Sequence, residues 1–470
     1  MSGRTLGEVA AVTGGSVSAG AAAVRYHRVS IDTRDTRPGD LFVAITGERS
    51  DGHRFVRHAF EAGAVGAVVQ RGVPLDGRQE TLVEVEDTRA ALLDLARAAR
   101  STLSATAIGI TGSTGKTCTK DMTAAVLRQR FNVVASRASF NNEVGLPLTI
   151  LEAAGDTDVI VCEMGSRGPG HIRLLCDVAR PHVGVVTNVG VAHMELFGSP
   201  EVLRAAKREL PESLPHDGAA VLNADDPVVR GYASHTNAKA LFFGRSDDAD
   251  VRADAIELSR ETGEATFRLV TPAGSASVTL PVPGEHMVPN ALAAAAVGSA
   301  LGVTVEETVT GLAGAQVSGG RMAVFKTGDG ITVLDDSYNA NPTSMSAALK
   351  AARWMAGDGR CIAVLGTMAE LGPISVEEHH RIGELLVRLG IDDLVTVGEE
   401  ARVIAAGAER EGLEPQHIRT CDDVDQAVGM VRSLARPGDL VLVKASRAAG
   451  LDRLAEALRA DQTTVEASAP

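Results

Sequence analysis

The sequence predicts an α/β protein of three domains, and three observations carry that expectation. Strand-like apolar runs alternate with helical periodicities along most of the chain, the pattern of parallel sheets covered by helices. A glycine-rich turn, Thr111-Gly112-Ser113-Thr114-Gly115-Lys116-Thr117, joins one such run to one such helix. The length of 470 residues exceeds one ordinary core, and roughly 150 residues per unit suggests about three. Punctuation along the chain divides it into a small N-terminal α/β domain (1–86), a central doubly wound sheet domain (87–317) and a C-terminal Rossmann-like domain (318–470).

In the first domain, Val29 to Arg34 leads to a turn at Arg37-Pro38-Gly39-Asp40 and a strand from Leu41 to Ile45. A loop at Asp51-Gly52-His53 precedes a helix over 55–62 and a strand over 64–70. Ser30, Asp32, Thr33 and Arg34, near Thr46, Gly47 and His53, suit either a structural cap or contact with a polar, phosphate-bearing ligand. An alanine- and arginine-rich helix over 87–102 leads onward.

The central domain opens on the strand over 107–111 and the glycine-rich turn. This reads as a phosphate-binding loop. Gly112 and Gly115 let backbone N–H groups point inward, Lys116 places a cation at a β/γ bridge, and the Thr117 hydroxyl suits Mg²⁺. Further strands over 158–163, 183–187 and 219–222 put polar residues at their carboxyl ends, where open α/β sheets bind ligands. Glu163 emerges there, where an acid would hold magnesium or else cap a helix or face solvent, and Asn188, His193 and Glu195 follow, a lone histidine being more often structural than a metal ligand. By local sequence Lys207 is an ordinary helix lysine. Residues 248–282 read as a β-rich excursion before an alanine helix starting near Asn290.

The third domain begins near Ser318 to Arg321. Its strand over 331–334 ends in the polar run Asp335-Asp336-Ser337-Tyr338-Asn339-Ala340-Asn341-Pro342, before a helix over 344–355. Strands over 361–365, 394–397 and 440–443 follow, the last ending in Lys444, Ser446 and Arg447, two cations and a hydroxyl that suit an anion. Residues 461–470 read as a disordered tail.

Bulk properties restrict the function. A net charge of −14 disfavours a non-specific grip on nucleic acid or anionic lipid. Five scattered cysteines without a C-x-x-C pair argue against a disulfide framework or zinc site. No apolar leader or run approaching 18 residues suggests export or membrane insertion, so a cytoplasmic protein is expected.

Taken together, these landmarks resemble the Mur ligase family over nearly the whole chain. The carriers are Ser30 to Arg34 with Gly39-Asp40-Leu41-Phe42 and Asp51-Gly52-His53; the phosphate loop; Asn141-Asn142-Glu143-Val144-Gly145-Leu146-Pro147-Leu148-Thr149; Glu163-Met164-Gly165; Ala192 to Ser199; Ala206-Lys207; Asn223 to Pro227; Asn290-Ala291-Leu292; Arg321; and Asp335 to Pro342. The resemblance implies an ATP-dependent amide ligase joining D-alanyl-D-alanine to the terminal carboxylate of a UDP-N-acetylmuramoyl-tripeptide through an acyl phosphate. It implies that Thr117, Glu163, His193 and a Lys207 carbamylated by CO₂ hold two magnesium ions. Lys116, Lys207, His193 and Asn141 are then the catalytic set, and residues Thr111 to Thr117 with Asn290, Arg321 and Asp336 seat ATP. Ser30, Asp32, Thr33, Arg34, Asn142, Tyr338 and Asn339 are implied as substrate contacts, and a monomer is expected. Thr367, Arg208, His171 and the alanines after Lys444 depart from the family pattern. They leave open a paralogous ligase acting on a specialised-metabolism carboxylate and amine. A nucleotide-dependent switch is disfavoured by the missing Asn/Thr-Lys-x-Asp signature.

Overall fold

The structure is a computed structural model that describes residues 4–47, 50–75, 81–137, 139–190 and 194–460. Three sheets dominate it. The first has five strands in the order Ser16–Val17, Leu82–Val85, Gly66–Gln70, Asp40–Val43 and Arg28–Ser30, parallel except at the Ser16 edge. A helix over Thr88–Ser101, capped by the Asp87 carboxylate on the amides of Arg89 and Ala90, packs on it and leads into the second unit.

The central sheet has nine strands. From one edge they run Val133–Ala135, Val159–Glu163, Thr106–Thr111, Val183–Val186, Ala219–Asn223, Lys239–Gly244 and Val251–Leu258, all parallel. Two antiparallel strands, Glu264–Thr271 and Gly274–Pro283, complete it and form the expected β-rich excursion. The strands of 133–135 and 239–244 lie outside the sequence expectations. Both are only partly buried, although Val133-Val134-Ala135 and Ala240-Leu241-Phe242-Phe243 are short apolar runs that a strand reading could have taken up.

The alanine helix, Val288–Ala300, starts before Asn290 because Pro289 occupies its first turn. Its small side chains let it lie close against the phosphate-loop helix Lys116–Leu127. Close approach also explains Gly311 on the neighbouring helix, where a Cβ would come within 2.5 Å of the Val126 Cα. Any side chain there must push two helices apart.

The C-terminal sheet runs Ala323–Lys326, Thr332–Asp335, Leu440–Lys444, Cys361–Leu365, Asp393–Val397 and Ile418–Cys421, parallel except for the first pair. The two outermost strands are additions to the sequence reading, again half-exposed edges. The chain enters this sheet at Ser318, whose amide and hydroxyl both donate to Asp121 on the phosphate-loop helix at 2.9 and 2.8 Å. The expected disordered tail over 461–470 lies outside the described residues. No helix among the described residues is long and apolar enough to cross a membrane.

Candidate functional site

The carboxyl ends of the central strands and the polar loops of the C-terminal sheet face each other across a cleft of about 720 Å³. Its floor is the phosphate loop. The strand Thr106–Thr111 is buried from Ala107 onward, and the backbone then leaves the regular region at Gly112 (φ +148°) and Gly115 (φ +78°). Glycine is required at both points for space as well as conformation. A Cβ on Gly112 would stand 1.9 Å from Thr187 Oγ1, and one on Gly115 would stand 2.3 Å from Asn290 Oδ1. Gly115→Ala is therefore expected to cut nucleotide affinity by at least about tenfold by displacing Asn290 and straining the loop; calorimetric titration with ADP checks this, and unchanged affinity would count against the loop as the site.

The loop is braced from the neighbouring strand end. Ser113 N donates to Asn188 O at 2.9 Å, Thr114 N to Asn188 Oδ1 at 3.0 Å, and Thr187 Oγ1 to Thr114 O at 2.6 Å. The helix Lys116–Leu127 begins at Gly115 with no side-chain cap among the described residues, so its first-turn amides point openly at the cleft. Lys116 Nζ lies over the loop, donating to the carbonyls of Gly112 (2.7 Å) and Ser113 (3.3 Å). Burial depresses its ammonium, an effect that Glu163 opposes and Arg321 reinforces.

Beside the loop, Glu163 ends its strand only 1% exposed. Its two carboxylate oxygens accept from Thr117 Oγ1 at 2.7 Å and Asn141 Nδ2 at 2.8 Å. Arg321 reaches in from the C-terminal side, donating through Nη2 to Thr117 Oγ1 (3.2 Å) and Ser139 Oγ (3.0 Å), while its guanidinium lies 3.7 Å from the Tyr338 ring centroid. Arg321 Nη1 is buried with no hydrogen-bond partner among the described residues. An orphaned guanidinium nitrogen beside an uncapped helix start suits an anion.

Lys207, on the helix Pro200–Glu212, is 1% exposed and also lines the cleft. Burial pushes its ammonium well below the ordinary lysine value, the Lys116 charge pushes the same way, and Glu209 opposes them. The ordinary helix lysine of the local sequence reading is thus a buried amine biased towards its neutral form.

Of the other anticipated residues, Asn142, Asn290, Asp336, Tyr338 and Asn339 also line the cleft. Asp336 is paired with Lys444 and accepts from Met322 N at 3.2 Å, so its carboxylate is engaged within its own domain. Thr111 turns away: its hydroxyl is fully buried and donates to Met164 O at 2.8 Å. Ser30, Asp32, Thr33 and Arg34 are not among the residues that line the cleft: Ser30 is buried, with its Oγ 3.0 Å from Thr36 Oγ1, and Arg34 is exposed and paired with Asp32 at 2.6 Å. His53 is buried and engaged on both ring nitrogens by Asp51 and the Gln70 amide, which gives it a structural place. His193 lies outside the described residues.

Sequence reasoning passed over Ser139, Thr187, the His171–Glu143 pair (3.1 Å) and His286, all on the cleft except Glu143. His171, a departure from the family pattern, could have been found by that signal. Ser139 carried none. A hollow of similar size, about 780 Å³, lies at the opposite ends of the central strands beside His182, His216 and Lys239. It has none of the phosphate-loop groups, and His216 and Lys239 are exposed.

Three family profiles match the chain: the Mur ligase family catalytic domain over residues 25–100, the Mur ligase middle domain over 110–298, and the Mur ligase glutamate ligase domain over 320–447. The chain is a Mur ligase. This Mur ligase is 43% identical to the UDP-N-acetylmuramoyl-tripeptide–D-alanyl-D-alanine ligase of Mycobacterium tuberculosis, with 98% of each chain covered. It is 36% identical to the Escherichia coli protein of that name, covering 93% of this chain and 94% of the other. Among solved structures, this Mur ligase superposes on MurF from Acinetobacter baumannii with a TM-score of 0.84 at 31% identity, covering 97% and 98% of the two chains. MurF ligase from Thermotoga maritima in complex with ADP gives 0.79 at 30% identity, covering 93% and 98%.

Proposed function

We propose that this Mur ligase adds D-alanyl-D-alanine to the terminal carboxylate of UDP-N-acetylmuramoyl-tripeptide at the expense of ATP, a cytoplasmic step in peptidoglycan precursor synthesis. The carrying observation is the end-to-end likeness to enzymes of that name, at 43% identity over 98% of the chain. It favours this acceptor over the paralogous alternative, because the likeness covers the domain that would bind the amine as well as the nucleotide domain. In this reading residues 1–86 hold the nucleotide-linked substrate through Ser30, Asp32, Thr33 and Arg34, residues 87–317 hold ATP, and residues 318–470 bring the amine and close over both.

A carboxylate is a poor acylating agent, and the role of ATP as substrate is to supply a leaving group. The tripeptide carboxylate oxygen attacks the γ-phosphorus, the bond to the β-bridging oxygen breaks, and ADP departs. The dipeptide amine then attacks the acyl carbon, losing a proton as phosphate leaves and the amide forms. Lys116, the first-turn amides and the unpaired nitrogen of Arg321 neutralise charge on the transferring phosphoryl group. Asn141 orients Glu163, and Arg321 draws the C-terminal domain onto the loop by its reach to Thr117. Asn290 and Asp336, which line the cleft, would seat the nucleoside in this reading, and Asn142, Tyr338 and Asn339, also on the cleft, would border the acyl and amine substrates.

Thr117 and Glu163 offer the hard oxygen donors that magnesium prefers. No cluster of three His, Cys, Asp or Glu side chains suited to a metal exists among the described residues, so phosphate oxygens and water would complete the shell, as is usual for Mg²⁺. When bound, magnesium supplies charge neutralisation at the phosphates. Glu163→Gln should raise the magnesium concentration for half-maximal activity by roughly 10- to 100-fold; an unchanged requirement would remove Glu163 from the metal site. Lys207 is further read as carbamylated, since its environment favours the neutral amine, whose nitrogen attacks the carbon of CO₂ and gives up a proton as the carbamate forms.

The deciding experiment measures phosphate release from ATP with UDP-N-acetylmuramoyl-tripeptide, with and without D-alanyl-D-alanine, and follows the pentapeptide by mass. Phosphate and pentapeptide should rise together only when both substrates are present. ATP turnover without product, or product with another amine only, overturns the assignment.

A further inference from the structure

The last strand of the C-terminal sheet, Leu440–Lys444, runs into Ser446 and Arg447, the anion-suited cluster of the sequence. The structure splits that cluster by what its members already hold. Lys444, 1% exposed, is paired with Asp336 and donates to Asn339 O at 2.9 Å. Ser446 Oγ accepts from Ala369 N at 2.8 Å and donates to Ala340 O at 3.2 Å. Both side chains therefore fasten the loop that carries Tyr338.

Arg447 is different. Its guanidinium is exposed on the cleft and makes no hydrogen bond or ion pair among the described residues; it stands 5.0 Å from the Tyr338 ring centroid. The same ring carries Arg321 at 3.7 Å, and Arg321 reaches the phosphate loop through Thr117. Lys116 is engaged by loop carbonyls, Lys444 by Asp336 and the His171 ring by Glu143. Lys207 is only 1% exposed.

The acceptor of the ligation has two ends with opposite needs. Its amine must reach the acyl carbon, while its own carboxylate must be neutralised and kept from the phosphoryl donor. A planar guanidinium matches a carboxylate with two parallel N–H donors. Arg447 has that fork uncommitted, on the domain that faces the phosphate loop. Resting on the ligase reading above, we propose that Arg447 binds the carboxylate of the incoming dipeptide, and that Tyr338 is the positioning residue that holds it. Arg447 then selects acceptors with a free C-terminus. Because Arg321 lies against the same ring, the closure that sets Arg321 on Thr117 also sets the acceptor site.

The test compares kcat/KM for D-alanyl-D-alanine and for its C-terminal amide. The wild-type chain should prefer the acid by about 10- to 100-fold, the range of a charged hydrogen-bonded pair. Arg447→Ala should bring the ratio close to one by raising the dipeptide KM, while ADP affinity, which also reports folding, and the KM for the tripeptide substrate stay within about twofold. Arg447→Lys, keeping charge without the fork, should fall between. Tyr338→Phe should keep the preference and Tyr338→Leu should lose most of it, a rescue by ring shape that a general loss of packing would not give. Equal losses with acid and amide in Arg447→Ala, or an unchanged dipeptide KM, overturn the proposal. Absence of product from the wild-type chain with either acceptor overturns the ligase reading instead, and the acceptor site with it.

Discussion

Lys116→Ala is expected to lower kcat by about 10³-fold or more, the scale set by removing a single charge-stabilising donor from a transition state. Its ammonium rests on the carbonyls of Gly112 and Ser113, so it already hangs over the floor where phosphate oxygens would lie. Arg321 does not replace it, because its Nη2 is engaged by Thr117 and Ser139 and only Nη1 is left to meet the phosphoryl group. The fold should survive, since Lys116 is only half-buried and fills no core position. The measurement is ligation rate beside the melting temperature. A melting temperature within a few degrees of wild type with product formation gone supports the role; wild-type turnover would sink the phosphate-loop assignment.

Lys207→Ala is the second large effect, expected at about 10²- to 10³-fold in kcat, with partial rescue by short carboxylates such as acetate or formate. A small acid can enter the space left by the truncated side chain and present the oxygen that a carbamate would. The pH dependence follows from the burial that depresses the lysine. A depressed value means that the neutral amine persists to lower pH than in a free lysine, so wild-type activity should hold near neutrality and fall as pH drops through that lowered value. Removing CO₂ and bicarbonate from the assay should slow the wild-type chain and leave the acetate-rescued variant untouched. If neither rescue nor CO₂ dependence is seen, Lys207 acts as a plain amine beside Lys116.

The phosphate loop was legible in the sequence because its requirements are local. Phosphate is held by backbone amides, amides converge only where the chain enters regions glycine tolerates, and Gly112 and Gly115 occupy those points. Glu163 was legible for a related reason: a carboxylate directly after a buried apolar run must emerge at the strand's carboxyl end. The half-exposed edge strands of 133–135, 323–326 and 418–421 were not legible, since runs of three or four residues are too short for their pattern to be told from a loop. Thr111 belonged to the motif by spacing but points into the core, a direction that strand alternation alone did not decide across a turn.

The neutral bias of Lys207 arises only when its helix packs against the central sheet and brings it near Lys116. Likewise Lys444 and Arg447 are equal cations in the sequence. One is consumed by Asp336 and the other is left standing on Tyr338, because the end of Leu440–Lys444 meets the loop after Thr332–Asp335. The amino-acid sequence by itself determined the α/β class, the phosphate loop and the family, all of which rest on backbone conformation and apolar periodicity over short spans. Tertiary structure alone decided which charged groups are spent on one another and which remain for a ligand, because desolvation and pairing depend on neighbours that the chain brings from far along its length.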